Sequence, residues 1–504
     1  MSFLRPPVRA VVAVRVFGSA AAASSLALLA ACAPDLGPMA QMKPATSYAA
    51  QKALGAPTAT TWPAEDWWTA YNDPQLTGLI EEALKGAPDL KVAEARVRQA
   101  QAEVKVQGAA QLPTASVSGN IQETAVKLNV EGIPDNFKSS LPSSWQPFTQ
   151  LGAKVAYEVD FFGKNRAAVA AASSKEKAAE FELRAARLQI STGVASAYAD
   201  LVRLTADRQA AVDAVKVRGD SLTLVADRVK NGLENQGQEA QSSAERHVSE
   251  GDVAAIDAQI DRVRHQLAAL VGAGPDRGLD VIPNLASISA PWGLPSNLPA
   301  DLIGRRPDVA AARLRTEAAA SQVKVARAAF YPNINLNASL LDLSFTPDQI
   351  FSHSIILAQA GPAVSLPIFQ GGRLTGAYRG AAAEYEASVA TYDKAVADAL
   401  KDVADAVSLQ KALAEQLIYA DRALTDSRKA YDLAVLRYNG GLSPYLVVLT
   451  AQSTLIAQER ASADLKAQTL AANVALVRAL GGGFVAPGVA ETSKTSNEKG
   501  PAHG

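Results

Sequence analysis

Four segments of the chain alternate apolar and polar residues with a period of two. The clearest is 114–122 (TASVSGNIQ), and 151–160 and 333–340 show the same pattern. In 356–368 the pattern is weaker, since Pro362 interrupts it. A period of two predicts β-strands with one apolar and one polar face. We predict strands at 113–123, 150–161, 332–342 and 355–368.

Longer segments carry helical patterns instead. Two of them, 164–230 and 372–438, would each form a helix about 100 Å long at about 1.5 Å per residue. In the second, Val396, Leu400 and Val403 recur at spacings of four and three residues, which is typical of a coiled coil. These two segments therefore predict very long helices that pack along a narrow seam.

Start and stop signals bound the shorter helices. Asp73 can cap a helix that has Pro74 at its first position, and Pro307 opens a later one in the same way. Pro113 and Pro332 end these two helices, because proline disfavours helical backbone at the residue before it. We predict shorter helices at 74–111, 234–271, 306–330 and 443–480.

The chain contains an internal duplication. Four segments recur in the same order: 111–122 as 330–341, 155–168 as 363–376, 228–236 as 437–445, and 265–274 as 474–483. Self-similarity in fixed order predicts two copies of one unit, each reading helix, strand, strand, helix, turn, helix. The predicted order is an N-terminal extension 32–73, a first repeat 74–274, a linker 275–300, a second repeat 301–483 and a disordered tail 484–504.

The N-terminus has the layout of a secretory signal. Arginines precede an apolar run over 20–31, and the small residues Ala30 and Ala31 stand before Cys32, the single cysteine of the chain. One cysteine cannot form an internal disulfide. Residues 29–32 (LAAC) also resemble a bacterial lipobox, which implies removal of 1–31 and lipidation of Cys32. An ordinary cleaved signal with a cysteine nearby is the alternative.

Composition narrows the class of protein. The formal net charge is −1 and the isoelectric point is near 6.5, so nothing indicates nucleic acid binding. Past the signal there is no apolar run of about 18 residues, so no membrane-spanning helix is expected. Strands of about 9–11 residues suit a membrane β-barrel, but four cannot close one, so several chains would have to share it. A small soluble sheet is the alternative.

Longer motifs carry a family resemblance. Residues 305–336 (RRPDVAAARLRTEAAASQVKVARAAFYPNINL), 367–374 (PIFQGGRL), 437–452 (RYNGGLSPYLVVLTAQ) and 476–484 (LVRALGGGF) resemble the TolC-like outer-membrane factors, in their lipoprotein branch. The segment 157–166 (YEVDFFGKNR) agrees with this, and the resemblance covers residues 60–483.

The resemblance implies a fold and a function. The fold would be mainly α, with a long coiled-coil helical barrel and four strands per chain contributed to a membrane β-barrel of three chains. The function would be the passive exit duct of a tripartite efflux pump in the outer membrane of a Gram-negative bacterium. The implied partners are two further copies, a periplasmic adaptor, an inner-membrane RND-type transporter and outer-membrane lipid. No cofactor is implied beyond the covalent lipid on Cys32.

The resemblance also assigns roles at the two helix–turn–helix ends. The turns 230–236 and 439–445 correspond to the family's adaptor-docking tips, and the glycines there suit a tight helix stop. The implied docking residues are Arg228, Asn231, Gly232, Leu233, Arg437, Gly440, Gly441 and Leu442.

The same resemblance places the aperture of the channel beyond the second turn. Its implied lumen-facing residues are Leu446, Val447, Thr450, Ser453 and, in the first repeat, Gln238. Many relatives carry aspartate at Val447, Thr450 or Gln238, or a basic residue at Ser443 or Ser453, and this chain has none of these. Because these carboxylates are missing, we expect the aperture to have weak affinity for divalent cations. An apolar constriction can still act as a gate by dewetting.

Other classes of protein are weakly supported. The four histidines lie far apart, and no GxSxG, HExxH, CxxC or GxxxxGK[ST] motif occurs, so no enzyme and no metal site are predicted. Asp398, Asp402 and Asp405 share a helical face, but a solvated stripe beside Lys394 and Lys401 is the simpler interpretation. A lipid-anchored periplasmic scaffold without a pore stays as an alternative that does not explain the duplicated strands.

Overall fold

The computed structural model describes residues 33–44, 47–49, 52, 62–125, 145–283, 304–344 and 355–485. Within them the chain is mainly helical, with four strands and a short 3-10 helix, Trp67–Tyr71. The helices are α1 Pro74–Gly86, α2 Pro88–Ala109, α3 Lys164–Lys230, α4 Gln236–Val271, α5 Asp276–Leu279, α6 Pro307–Ala328, α7 Arg373–Asn439 and α8 Tyr445–Ala479. The strands are β1 Thr114–Thr124, β2 Gln146–Val159, β3 Asn333–Ser344 and β4 Ile355–Ser365.

The two long helices are confirmed. Each has 67 residues, and neither contains a proline that would interrupt its hydrogen bonds. The predicted seam of α7 is also present, since Val396, Leu400 and Val403 are buried in one apolar cluster with Leu476 and Leu480. Spacing alone was therefore sufficient to identify the buried face of α7.

The single helix predicted at 74–111 is wrong. The structure has two helices, α1 and α2, with extended backbone at Ala87 between them. Pro88 causes the break, because it disfavours helical backbone at the preceding residue and begins the next helix itself. The capping prediction holds, since the Asp73 carboxylate accepts hydrogen bonds from the backbone N–H groups of Gln75 and Leu76.

Some predicted boundaries fall outside the described residues or differ from them. The signal with Cys32, most of the linker (284–300), the first three residues of the second repeat (301–303) and the tail from 486 onward are not described. The described part of the linker, 275–283, includes the short helix α5. Phe484, placed in the disordered tail, is instead buried, with its ring 5.4 Å from that of Phe181.

The four strands form one antiparallel sheet in the order β1-β2-β3-β4. The register sorts side chains by polarity. One cross-strand row is polar: Ser116, Lys154, Ser339 and Gln359. The next row is apolar and lies on the opposite face: Val117, Ala153, Leu340 and Ala358. This register confirms the two faces that the alternation predicted.

The chain divides into two compact units. The first contains the strands and has a small core of Val323, Phe330 and Tyr378, against which Ala33 and Leu36 pack. The second contains most of the helical residues and three apolar clusters. The largest of these clusters includes Trp67 and Tyr198, and it holds the start of the first repeat against α3 and α4.

Asp73 has two roles in that cluster, so a substitution of this residue tests the fold. Besides capping α1, its carboxylate accepts a hydrogen bond of 2.6 Å from the Tyr198 hydroxyl, and both residues are buried. Asp73→Ala should lower the free energy of unfolding by about 2–4 kcal/mol, because it removes both the helix cap and the buried hydrogen bond from the Tyr198 hydroxyl. The measurement is denaturant unfolding followed by helical circular dichroism.

Asp73→Asn is the matched control, since an amide oxygen can still accept from the helix N-terminus. Asp73→Asn should lower the free energy of unfolding by less than half as much as Asp73→Ala. Equal losses for the two substitutions would contradict the capping role.

Candidate functional site: the helix–turn–helix ends and the strand ends

Two turns of the same backbone geometry join the long helices to their returning helices. In the first, the N–H of Leu233 donates to the Arg228 carbonyl at 2.8 Å, and Gly232 has φ +71°. In the second, the N–H of Leu442 donates to the Arg437 carbonyl at 2.8 Å, and Gly441 has φ +71°. This is the Schellman helix stop, in which a left-handed glycine satisfies the last carbonyls of the helix.

The structure exposes most of the residues that the resemblance assigned to docking. The exposed ones are Asn231, Gly232, Leu233, Arg437, Gly440, Gly441 and Leu442. Leu233 and Leu442 are 63% and 73% exposed, so each turn presents a leucine at its end. Arg228 differs, because its side chain is only 24% exposed and lies 3.7 Å from the carboxylate of Glu234. Its immediate role is therefore internal.

A cluster of two tyrosines with charged and polar side chains joins the two turns. The Tyr438 hydroxyl donates to the Glu234 carboxylate at 3.2 Å, and the Arg228 guanidinium lies 4.5 Å from the centre of the Tyr438 ring. The ring of Tyr445 is 5.4 Å from that of Tyr438. Its hydroxyl lies 3.1 Å from that of Ser242 on α4. Burial, followed by the charge of Glu234, raises the pKa of Tyr438 to about 12.

This cluster was missed from the sequence, although a signal for it exists. When the two turns are aligned, Val229 corresponds to Tyr438, Glu234 to Ser443 and Gln236 to Tyr445. One turn therefore supplies the acceptor, Glu234, and the other supplies the aromatic donor, Tyr438. The differences between the two copies, rather than their similarity, mark the residues that bind the turns together.

The predicted aperture residues share an exposed face at the start of α8. Leu446 and Val447 are 64% and 45% exposed, and Thr450 and Ser453 continue the same face. The opposite face of these turns is buried and consists of Tyr445, Val448, Leu449 and Gln452. Gln238 does not share this exposure. It lies half-buried in the first turn of α4, where its backbone N–H donates to the Asn235 side chain at 3.1 Å.

The exposed face at the start of α8 is uncharged. No acidic or basic residue occurs in α8 before Glu459, and the Glu459 carboxylate pairs with Arg428 of α7 at 2.5 Å. Arg218 of α3 lies beside this face, with its Nη2 3.5 Å from the Ser453 hydroxyl. Its charge is compensated by an ion pair with Glu245 of α4. These turns therefore offer hydroxyl and apolar groups without net charge.

The aspartate stripe on α7 is paired with cations, as the simpler interpretation expected. Asp398 pairs with Lys394 at 2.5 Å and Asp405 with Lys401 at 2.8 Å. Asp402 is 3.0 Å from Arg306, a partner 96 residues away that the sequence did not suggest. In the part of the chain that the structure describes, no three acidic, histidine or cysteine side chains are grouped to hold a metal ion.

Exposed apolar side chains follow the C-terminal ends of β2 and β4. Phe161 follows β2, while Ile368 and Phe369 follow β4, and these three are 65%, 92% and 88% exposed. Ala33 packs near Phe330, which lies just before β3. Among the described helices, none has an apolar stretch long enough to cross a bilayer.

Comparison with known proteins identifies the class. The Outer membrane efflux protein family matches the chain twice, over residues 79–273 and 298–482, which is once for each repeat. The chain belongs to this family.

Three known proteins illustrate what the chain is similar to. The pyoverdine export outer membrane protein OpmQ of Pseudomonas aeruginosa is 31% identical over 464 residues, covering 92% of this chain and 96% of its own. The fusaric acid resistance protein FusA of Burkholderia cepacia is 37% identical over 320 residues, covering 62% of this chain and 59% of its own. The crystal structure of the outer membrane protein VceC of Vibrio cholerae has a TM-score of 0.78 at 37% identity, covering 84% of this chain and all of that one.

Proposed function

We propose that this chain forms the outer-membrane exit duct of an efflux pump. The observation that carries the proposal is the double family match, which spans both repeats and nearly all of the described helices and strands. The names of the relatives, an export outer membrane protein and a resistance protein, support the same role. The duct is passive and catalyses no reaction. Energy comes from an inner-membrane transporter, reached through a periplasmic adaptor.

The sheet supports assembly into a trimer. Within the described residues, β1 and β4 each pair on one side only, and one face of the sheet is apolar. In hydrocarbon an unpaired strand edge leaves its N–H and C=O groups unsatisfied, at several kcal/mol each. Three copies would join β4 of one chain to β1 of the next and close a barrel of twelve strands. The apolar face then contacts lipid and the polar face lines the pore.

The exposed turns supply the contact for the adaptor. Leu233 and Leu442 each project from a helix stop that also exposes a glycine and an asparagine. A partner helix hairpin of complementary shape can bury these leucines, at about 25 cal/mol per Å² of apolar surface removed from water. Arg437 adds an exposed positive charge beside the second turn.

Cys32 is the proposed lipid anchor. The position of Ala33 beside the strand ends supports this, because a lipid on the preceding residue would lie at the membrane surface. The exposed Phe161 and Phe369 mark the same level, and aromatic side chains prefer the membrane interface. The lipidated N-terminus and the sheet would thus enter one bilayer together.

The exposed face of α8 is the proposed aperture. In a closed trimer, Leu446 and Val447 of three chains would narrow the pore, with Thr450 and Ser453 above them. Because this face is uncharged, closure depends on apolar surface and dewetting rather than on an ionic ring.

Conductance of the purified protein in a planar bilayer tests both the duct and its aperture. Wild type should show small, rarely open currents, and Leu446→Ser should open more often because the constriction becomes more polar. Leu442→Ser is the control, since it replaces another exposed leucine, one that lies on the turn rather than on the aperture face. A folded, membrane-extracted protein that conducts in neither form would favour the scaffold without a pore.

The uncharged aperture predicts a weak response to divalent cations. Wild-type currents should persist in millimolar Mg²⁺, while Val447→Asp should become sensitive to block, because three carboxylates would then face one another. Val447→Asn controls for size and polarity without charge. Block of the wild type at sub-millimolar concentration would contradict an uncharged aperture.

Metabolic labelling with palmitate tests the anchor. The full-length protein should incorporate the label, and Cys32→Ala should abolish incorporation because the acyl acceptor is lost. An unlabelled wild type whose mature chain reacts with maleimide would indicate an ordinary signal with a free thiol at Cys32.

A further inference from the structure

A cavity of about 390 Å³ lies where the strands meet the helices. It is bounded by the end of β2 and the start of α3, by the end of α6 and the start of β3, and by the end of β4 and the start of α7. All of its lining residues belong to the compact unit that contains the sheet. Small-molecule sites typically have volumes of about 300–1,000 Å³, so the cavity is large enough to hold a small organic molecule.

The cavity continues the polar face of the sheet. Glu158, Asn333 and Ser365 are among its lining residues, and the register places them on the same face as Lys154 and Ser339. This follows because residues an even number of positions apart on a strand share one face. In the proposed trimer the polar face lines the pore. A ligand in this cavity would therefore lie on the route of export.

One wall of the cavity is aromatic. The rings of Phe162 and Tyr331 are stacked, with their centroids 4.7 Å apart and their planes 15° from parallel. Both residues line the cavity, and the neighbouring Phe161 is 65% exposed at its edge. Flat aromatic groups pack favourably against such rings, either by offset stacking or edge to face. The wall therefore favours a ligand that carries an aromatic group.

Two acidic residues of the lining already have cationic partners. The Glu158 carboxylate lies 2.5 Å from the Nζ of Lys164. The Asp160 carboxylate accepts a hydrogen bond of 2.8 Å from the backbone N–H of Arg166 and lies 3.4 Å from the Nε of the same residue. A cationic ligand would have to displace one of these partners, so the cavity does not favour cations.

Arg373 brings a positive charge to the cavity without an acidic partner. It is exposed at the start of α7, and its guanidinium donates to the neutral side-chain oxygen of Gln370. Over the ranges that the structure describes, no carboxylate forms an ion pair with it. A guanidinium has five N–H donors in a fork that matches the two oxygens of a carboxylate. The donors that Gln370 leaves free can therefore bind an anionic group.

We propose that this junction cavity binds amphipathic organic anions, namely aromatic carboxylates. The aromatic group of the ligand packs on Phe162 and Tyr331, and its carboxylate pairs with Arg373. A purely apolar molecule would leave the guanidinium unpaired, and a cation would be repelled by it. The place of this site on the export route rests on the proposed function, whereas binding in the cavity does not.

Equilibrium dialysis of radiolabelled 2-naphthoate against the purified full-length protein in detergent measures binding without any pore activity. Micelles without protein give the background. The wild type should bind 2-naphthoate saturably. Its affinity for 2-naphthylmethylammonium, which has the same rings and the opposite charge, should be weaker by about ten-fold or more, because only the carboxylate can pair with Arg373.

Substitutions of two charged residues should change the affinity for 2-naphthoate in opposite directions. Arg373→Gln should lower it by about five- to ten-fold, as the loss of one charge-assisted hydrogen bond on an exposed side chain allows. Glu158→Gln should raise it by about two- to five-fold, because Lys164 loses its acidic partner. Arg379→Gln is the matched control, since Arg379 is another exposed arginine of α7 that does not line the cavity.

The aromatic wall is tested separately with a conservative pair of substitutions. Tyr331→Leu should lower the affinity for 2-naphthoate by about three- to ten-fold, because the ring against which the ligand packs is lost. Tyr331→Phe keeps the ring and should bind 2-naphthoate as the wild type does. Equal losses in these two variants would contradict the aromatic contact.

Equal affinity of the wild type and Arg373→Gln would overturn the site, as would equal binding of the naphthoate and the ammonium compound. Bilayer conductance of the same preparations separates the two proposals. The expected binding pattern in a protein that never conducts would remove the exit duct and retain the site. Conductance in a protein that binds no 2-naphthoate would remove the site and retain the duct.

Discussion

Backbone hydrogen bonding at the edges of the sheet constrains everything else in the proposed assembly. The register gives β1 to β4 one apolar face, which commits that face to lipid or to another apolar surface. A four-stranded sheet in lipid then needs partners for both outer strands. Three copies would satisfy this need with no additional element, and they would fix the number of helix pairs in the proposed assembly.

The duplication explains why one chain can supply two equivalent helix–turn–helix ends. Glycine at the same place in each copy produces the same helix stop, so the backbone is repeated faithfully. The side chains then differ where the copies meet. Glu234 and Arg228 of one turn complement Tyr438 of the other, an arrangement that two identical turns would not provide.

Periodicity in the sequence was sufficient for most of the fold. Alternation identified the four strands and their faces, and the spacing of Val396, Leu400 and Val403 identified the buried side of α7, because each signal is local. The break at Ala87 was missed because the helical pattern continues across Pro88.

The contacts between elements were largely inaccessible from local patterns. Tyr438 meets Glu234 across 204 residues, and Arg306 meets Asp402 across 96. No periodicity links such pairs, since their proximity follows from how the helices pack. The aperture face is intermediate between the two cases. Its residues were assigned by the family resemblance, whereas the compensation of Arg218 by Glu245 was not foreseen.

The repeated helix stop has a consequence for symmetry. Three chains with two turns each would present six turns of one backbone geometry around a common axis. A ring of six identical subunits could then engage every turn, although the trimer itself has only three-fold symmetry. Neighbouring turns would share one backbone shape but carry different side chains. The six subunits of the partner would therefore alternate between two chemically different contacts.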